Sequence, residues 1–196
     1  IVATQSGWRE QVVLRNDDGF ALAPGTYKMD DQVPPELRSA PVGSIYENSP
    51  DAANMIYTLC ARLMKQGGVL LIVDYGYTAT ALGSTLQAVR AHRYSEPLAD
   101  PGSNDLTAHV NFEAFANIAR SQGLRVSGPV PQGDWLTALG IDQRAVMLAR
   151  SAPDQADDIA AARQRLVNSD EMGHLFKVMA ITAPDWPEPE GFAAFR

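Results

Sequence analysis

The stretch Gly67-Gly68-Val69-Leu70-Leu71-Ile72-Val73-Asp74-Tyr75-Gly76-Tyr77 decides how the chain is read. Five consecutive apolar residues lie between a glycine pair and an Asp-Tyr-Gly turn. That pattern predicts a strand buried on both faces, in a parallel sheet covered by helices. In open α/β sheets the ligand crevice lies beyond the carboxyl ends of the strands. Asp74, Tyr75 and Tyr77 would then stand at the functional edge; alternatively, Asp74 simply caps the turn that follows.

Immediately upstream, Ser49-Pro50-Asp51 has the form of a helix start. Serine serves as the N-cap, proline fits the first helical position, and a carboxylate meets the positive end of the helix dipole. Ala52, Ile56, Leu59, Cys60, Leu63 and Met64 recur at helical spacing, and Gly67 is the expected stop. Cys60 falls on that apolar stripe, which predicts a buried structural thiol rather than a reactive one. Further upstream, Trp8–Leu14 and Phe20–Leu22 flank Asn16-Asp17-Asp18-Gly19 and predict a β-hairpin appendage. Residues 24–44, rich in proline and glycine, read as a surface connection with a turn of helix at Glu36–Ser39.

Downstream of Tyr77, residues 78–84 form a small polar loop, and Thr85–His92 fits either helix or strand. Asn111 is a candidate N-cap for a helix carrying Phe112, Phe115, Ala116 and Ala119 on one side, closed by Gly123. Leu124–Val130 reads as a strand, residues 133–140 as a short helix and 154–168 as an amphipathic one. Leu175–Ile181 reads as a final strand, and the proline-bearing tail from Pro184 as a surface-bound or mobile strap.

Composition narrows the function. The chain has 196 residues, 45% apolar and 20% charged, enough for one globular domain. A net charge of -7 argues against nucleic acid or an anionic membrane as the main partner, while leaving a basic substrate open. No apolar run approaches the roughly 20 residues that a spanning helix needs, and no secretory signal is visible. One cysteine permits no internal disulfide and points to a reducing compartment. The chain starts at Ile1 in mid-pattern, as a part of a longer protein would.

His92, His109 and His174 are too far apart to suggest a metal site. The nucleophile elbow, the phosphate-binding loop and the dinucleotide fingerprint are all missing from the sequence. The most chemical segment is Asp105-Leu106-Thr107-Ala108-His109. It puts a carboxylate, a hydroxyl and an imidazole just before a helix N-terminus, where His109 could serve as acid, base or hydrogen-bond donor. The competing reading gives Asp105 and Thr107 local backbone hydrogen bonds only.

Several runs resemble the MidA family, also called DUF185, whose mitochondrial member is a complex I assembly factor. They are Gly7-Trp8-Arg9-Glu10, Gly68–Gly76, Thr85–Ala88 with His92, Pro101-Gly102 with Asp105–Phe112, Gln132-Gly133, Leu139–Ile141 with Arg144, and Met172–Val178. They follow the family's order over nearly the whole chain. The resemblance implies a Rossmann-like, class I S-adenosylmethionine-dependent methyltransferase fold: α/β, mostly parallel, with helices on both faces. It places residues 69–74 in the later half of the sheet and makes 124–130 and 175–181 its terminal antiparallel strands.

What the family implies for function is methyl transfer from S-adenosyl-L-methionine, to an arginine of a complex I subunit in its mitochondrial members. The family's glycine-rich cofactor loop and its Asn-Glu-Phe-Phe-Asp-type segment lie upstream of Ile1. The chain therefore resembles the C-terminal portion of such an enzyme with a β-hairpin insertion, and alone it should be inactive. Its partners would be a protein substrate, the missing N-terminal half or a second chain, and another copy of itself. By motif position, Asp74, Tyr75, Gly76, Tyr77, His92, Asp105, Thr107 and His109 are candidates for the walls of the active site. No catalytic base or metal ligand is assigned among them.

The expected organisation is a hairpin and connection over 1–44, a methyltransferase-like part over 45–183 and a tail over 184–196. The expected compartment is the bacterial cytoplasm or the mitochondrial matrix. The alternatives are a non-catalytic assembly module that keeps the fold to grip a partner, and a small-molecule methyltransferase.

Overall fold

A computed structural model describes every residue except Asp18, His92 and Arg196. In chain order the elements are β1 (Val2–Thr4), β2 (Gly7–Asn16), β3 (Gly19–Lys28), α1 (Pro50–Gln66), β4 (Val69–Tyr77), β5 (Gln87–Arg90), β6 (Arg93–Ser95), β7 (Asp105–Thr107) and β8 (Val110–Asn111). They continue as α2 (Phe112–Ser121), β9 (Arg125–Pro131), α3 (Gln132–Ala138), α4 (Ile141–Ser151), α5 (Ala156–Val167), α6 (Met172–Leu175) and β10 (Phe176–Thr182). The chain divides into two compact units, residues 1–49 with 80–109 and residues 50–79 with 110–196.

The first unit holds two antiparallel sheets, ordered β1-β2-β3 and β6-β5-β7. The expected hairpin is present and longer than expected, because Pro24 and Gly25 lie inside β3 rather than in the connection. β3 is an edge strand, where a residue without an N–H is tolerated. The unit's core is Ala3, Trp8, Val33 and Tyr46, and the Trp8 indole N–H donates to the Arg38 carbonyl at 3.0 Å. The segment read as a surface connection therefore supplies core residues. Thr85–His92 resolves as strand β5 up to Arg90.

The second unit holds one four-stranded sheet, ordered β8-β4-β10-β9. β10 runs antiparallel to both β4 and β9, as the resemblance implied for residues 175–181, but it lies inside the sheet. β9 runs in the same direction as β4, which corrects the expectation that 124–130 is an antiparallel strand; β8 runs parallel to β4. One face of this sheet is closed by α1 and α2. Ile56, Cys60, Phe112, Ala116 and Ala119 pack there on Met179 and Ile181, with Leu70 and Ile72 alongside. Both helix starts follow the sequence: α1 begins at Pro50, and the Asn111 side chain accepts from the Ala114 N–H at 3.1 Å. The α1 stripe is narrower than expected, since Met64 is exposed.

On the opposite face Val130, Val178 and Ala180 are covered by Phe192 from the tail, beside Trp135 of α3. The Trp135 indole donates to the Glu190 carbonyl at 3.2 Å, so the tail is a bound strap. That cover stops short of β4. Val69, Leu71 and Val73 are 48%, 45% and 43% exposed, which corrects the expectation of a strand buried on both faces. Helix α4, unread in the sequence, sets Ile141, Ala145 and Leu148 at helical spacing beside α5, while Val146 and Met147 are exposed. Its Asp142 carboxylate pairs with Arg163 of α5 at 2.7 Å.

Candidate functional site

Within the second unit, four of the expected residues lie on β4. The Asp-Tyr-Gly segment is not a turn. The strand continues to Tyr77 because Tyr75 pairs with Phe176, and Gly76 and Tyr77 pair with Val110 and Asn111 of β8. Side chains alternate along a strand. Asp74 and Gly76 therefore share the α1/α2 face with Leu70 and Ile72, and Tyr75 and Tyr77 share the opposite one.

Asp74 is half-buried, and its Oδ1 accepts from the Tyr75 N–H at 2.8 Å. The cross-strand neighbour of Asp74 is Lys177, which is buried and donates its Nζ proton to the His174 carbonyl. Burial pulls the Lys177 ammonium below its ordinary pKa. Tyr75 packs edge-on against Phe176 with ring centroids 5.2 Å apart. Gly76 has a packing role: a Cβ there would stand 2.3 Å from the Val110 carbonyl oxygen and 2.8 Å from the Phe112 ring.

The first unit carries the other cluster. β5 and β7 pair with Gln87 opposite Thr107 and Val89 opposite Asp105, so Asp105 and Thr107 lie on one face of β7. His109 follows two residues after that strand. Its backbone N–H donates to Thr85 Oγ1 at 2.8 Å, and its Nε2 lies 3.3 Å from the Gln87 carboxamide nitrogen. Glu47 closes the cluster. One carboxylate oxygen accepts from the Thr85 N–H at 2.8 Å and the Ser84 hydroxyl at 3.1 Å, and the other accepts from the Thr85 hydroxyl at 2.6 Å.

The structure thus brings Thr107, His109, Gln87, Thr85 and Glu47 together, with Asp105 exposed on the same strand as Thr107. His92 lies outside the described residues. Sequence reading missed Glu47, Thr85 and Gln87 as members of this cluster. Glu47 and Thr85 are 38 residues apart, and nothing in their local patterns links them.

A bound S-adenosylmethionine needs a backbone cradle for its ribose and carboxylate end, and polar or aromatic groups near the sulfonium. Asp74, Tyr75 and Tyr77 are residues of the types the second task uses, but Asp74 stands on one face of β4 and the two tyrosines on the other. For the first, Gly76 is filled by Val110 and Phe112, and Gly67 and Gly68 pack against Trp186 and Leu63. Neither Gly76 nor the Gly67-Gly68 pair leaves open space for such a cradle. Among the described residues, no group of three or more His, Cys, Asp or Glu is arranged to hold a metal ion. No helix among them is long and apolar enough to cross a membrane.

Comparison with known proteins supplies the context. Residues 1–130 match a family model described as "putative S-adenosyl-L-methionine-dependent methyltransferase". The protein arginine methyltransferase NDUFAF7 of Xenopus tropicalis, a mitochondrial protein, is 31% identical over 196 residues, covering 91% of this chain and 42% of that one. The Drosophila melanogaster homolog is 30% identical, over 89% of this chain and 41% of its own length. A crystal structure of a COG1565 superfamily member from Burkholderia thailandensis, bound to S-adenosyl-homocysteine, superposes with a TM-score of 0.81 at 26% identity. It covers 98% of this chain and 51% of that protein. The chain therefore spans about two fifths of those curated relatives and about half of the solved one. These shares lend no support to assigning it to the C-terminal half in particular.

Proposed function

Because the chain belongs to the S-adenosyl-L-methionine-dependent methyltransferase family matched over residues 1–130, we propose that it works as part of a protein-arginine methyltransferase. One observation carries this reading. Nearly the whole chain, 98%, superposes on a protein solved with S-adenosyl-homocysteine, the product that a methyl donor leaves behind. The names of the curated relatives supply the acceptor class, arginine in a protein.

The donor, when bound, supplies an electrophilic methyl group on a sulfonium. The residues here would orient the acceptor. A guanidinium needs a carboxylate or an aromatic face to hold it in line. Asp74 with Tyr75 and Tyr77 offers such groups in one unit, and Asp105, Thr107 and His109 offer them in the other. Residues 45–183 would form the methyltransferase-like part, 1–44 an appended hairpin and connection, and 184–196 the strap.

The glycine cradle would come from further polypeptide, on the same or a second chain, and the chain alone would be inactive. A complex I subunit is the proposed protein substrate, in the mitochondrial matrix or its bacterial equivalent. The lack of a cradle among the described residues also favours a second reading, a non-catalytic assembly module. Incubating the whole polypeptide that carries these residues with S-[methyl-³H]adenosylmethionine and arginine-bearing protein acceptors separates the two. Label in arginine supports the enzyme. Stable acceptor binding without label supports the module.

A further inference from the structure

The Glu47 carboxylate is a triple acceptor, and the proton order it imposes has a consequence for His109. Residue 47 directly follows Tyr46, which is buried with Trp8 and Val33 in the core of the first unit. The next anchor is at Ile45, whose carbonyl accepts from the Gly83 N–H at 2.8 Å. The main chain under Glu47 is therefore held on one side by the core and on the other by the loop it binds. An ionised carboxylate can only accept. The Thr85 hydroxyl must then give its single proton to Glu47, at 2.6 Å, and turn its lone pairs to the His109 N–H, at 2.8 Å. Charge-assisted bonds of this kind are roughly twice as strong as neutral ones, and they polarise the next bond in the chain. The His109 imidazole is held separately, by Gln87.

We propose that Glu47 is a positioning residue: through the Thr85 hydroxyl it fixes the backbone at His109, and so sets where the imidazole meets Gln87. This rests on the reading that the Asp105–His109 segment belongs to the active site, and deepens it by naming what holds that segment in place. Glu47 touches no substrate in this account. Its work is to make the Thr85 hydroxyl a one-way acceptor.

The test uses the 196-residue chain and needs no activity, so its failure is separate from failure of the methyltransferase reading. Backbone amide exchange and imidazole ¹⁵N shifts are measured by NMR in the parent and four variants. Glu47→Gln and Thr85→Val should speed exchange of the His109 amide about tenfold or more and shift its ring nitrogens. Amides of β10 and of Val33 should stay at parent values in those variants. Thr85→Ser keeps the hydroxyl and should remain within about twofold of the parent. Ser84→Ala removes a donor to Glu47 and a long acceptor for the Leu86 N–H, and should leave His109 unmoved. Unchanged His109 signals in Glu47→Gln would overturn the proposal, whatever Thr85→Val does. So would equal loss of protection at Val33, because Glu47 would then be a general staple of the unit.

Discussion

Gly76 and Val110 pair across the parallel strands β4 and β8 so closely that a β-carbon on Gly76 would lie 2.3 Å from the Val110 carbonyl oxygen. The Phe112 ring closes the same space at 2.8 Å. Backbone and a fully buried ring cannot both retreat. Gly76→Ala should therefore cost about 1–3 kcal/mol, the usual range for overpacking a tight core. Urea denaturation measures it, and an unchanged midpoint would show that the strand end can open. Any loss of activity in that variant reports packing, not chemistry.

Cys60 is fully buried in the α1 stripe, and burial pushes its thiol above the ordinary value of 9.0. The thiolate is disfavoured in the folded chain relative to the unfolded one. The stability this group contributes is full below pH 9.0 and is lost progressively as pH rises above it. A urea series from pH 8 to 11 should show that decline, and Cys60→Ala should flatten it while lowering stability throughout. At neutral pH a thiol reagent should label Cys60 only as fast as the chain unfolds; rapid labelling of folded protein would refute the burial.

Val69, Leu71 and Val73 form an apolar row on the open face of β4, and β4 meets β8 only at Gly76 and Tyr77. An exposed apolar row on a strand with one edge largely unpaired invites association. The chain by itself should self-associate with rising concentration, and Leu71→Glu should shift it toward monomer in sedimentation experiments. A parent chain that stays monomeric at high concentration would contradict this.

Asp74 accepts its neighbour's N–H and sits half-buried beside Lys177 without contributing to the apolar core. Asp74→Asn should keep the melting behaviour within about 1 kcal/mol, because the remaining oxygen can still accept. Methyl transfer by the whole polypeptide should fall at least about tenfold if the carboxylate orients a guanidinium. Full activity would remove Asp74 from the site.

Much of the second unit was legible because its signals are local. The start of α1 at Ser49-Pro50, the Asn111 cap and the apolar runs of β4 and β10 each follow from a few neighbouring residues. The exposed face of β4 was not legible, since a run such as Val69–Val73 reads the same whether or not its own chain covers it. Helix α4 was legible in principle, since Ile141, Ala145 and Leu148 stand at helical spacing behind Gly140. Glu47 hid because its partners Ser84 and Thr85 lie 37 and 38 residues downstream, so only the fold reveals the cluster. Asp105, Thr107 and His109 were visible as residue types, while their relation to Gln87 and Thr85 needed the β5–β7 register.

The most direct test of the central claim is a calorimetric titration of S-adenosyl-homocysteine, run on the 196-residue chain and on the whole polypeptide that carries it. The account predicts saturable binding by the whole polypeptide and none by the chain alone, because neither Gly76 nor the Gly67-Gly68 pair leaves space for a cofactor cradle. Saturable binding by the chain alone would contradict the reading of the site, and none by either would contradict the methyltransferase.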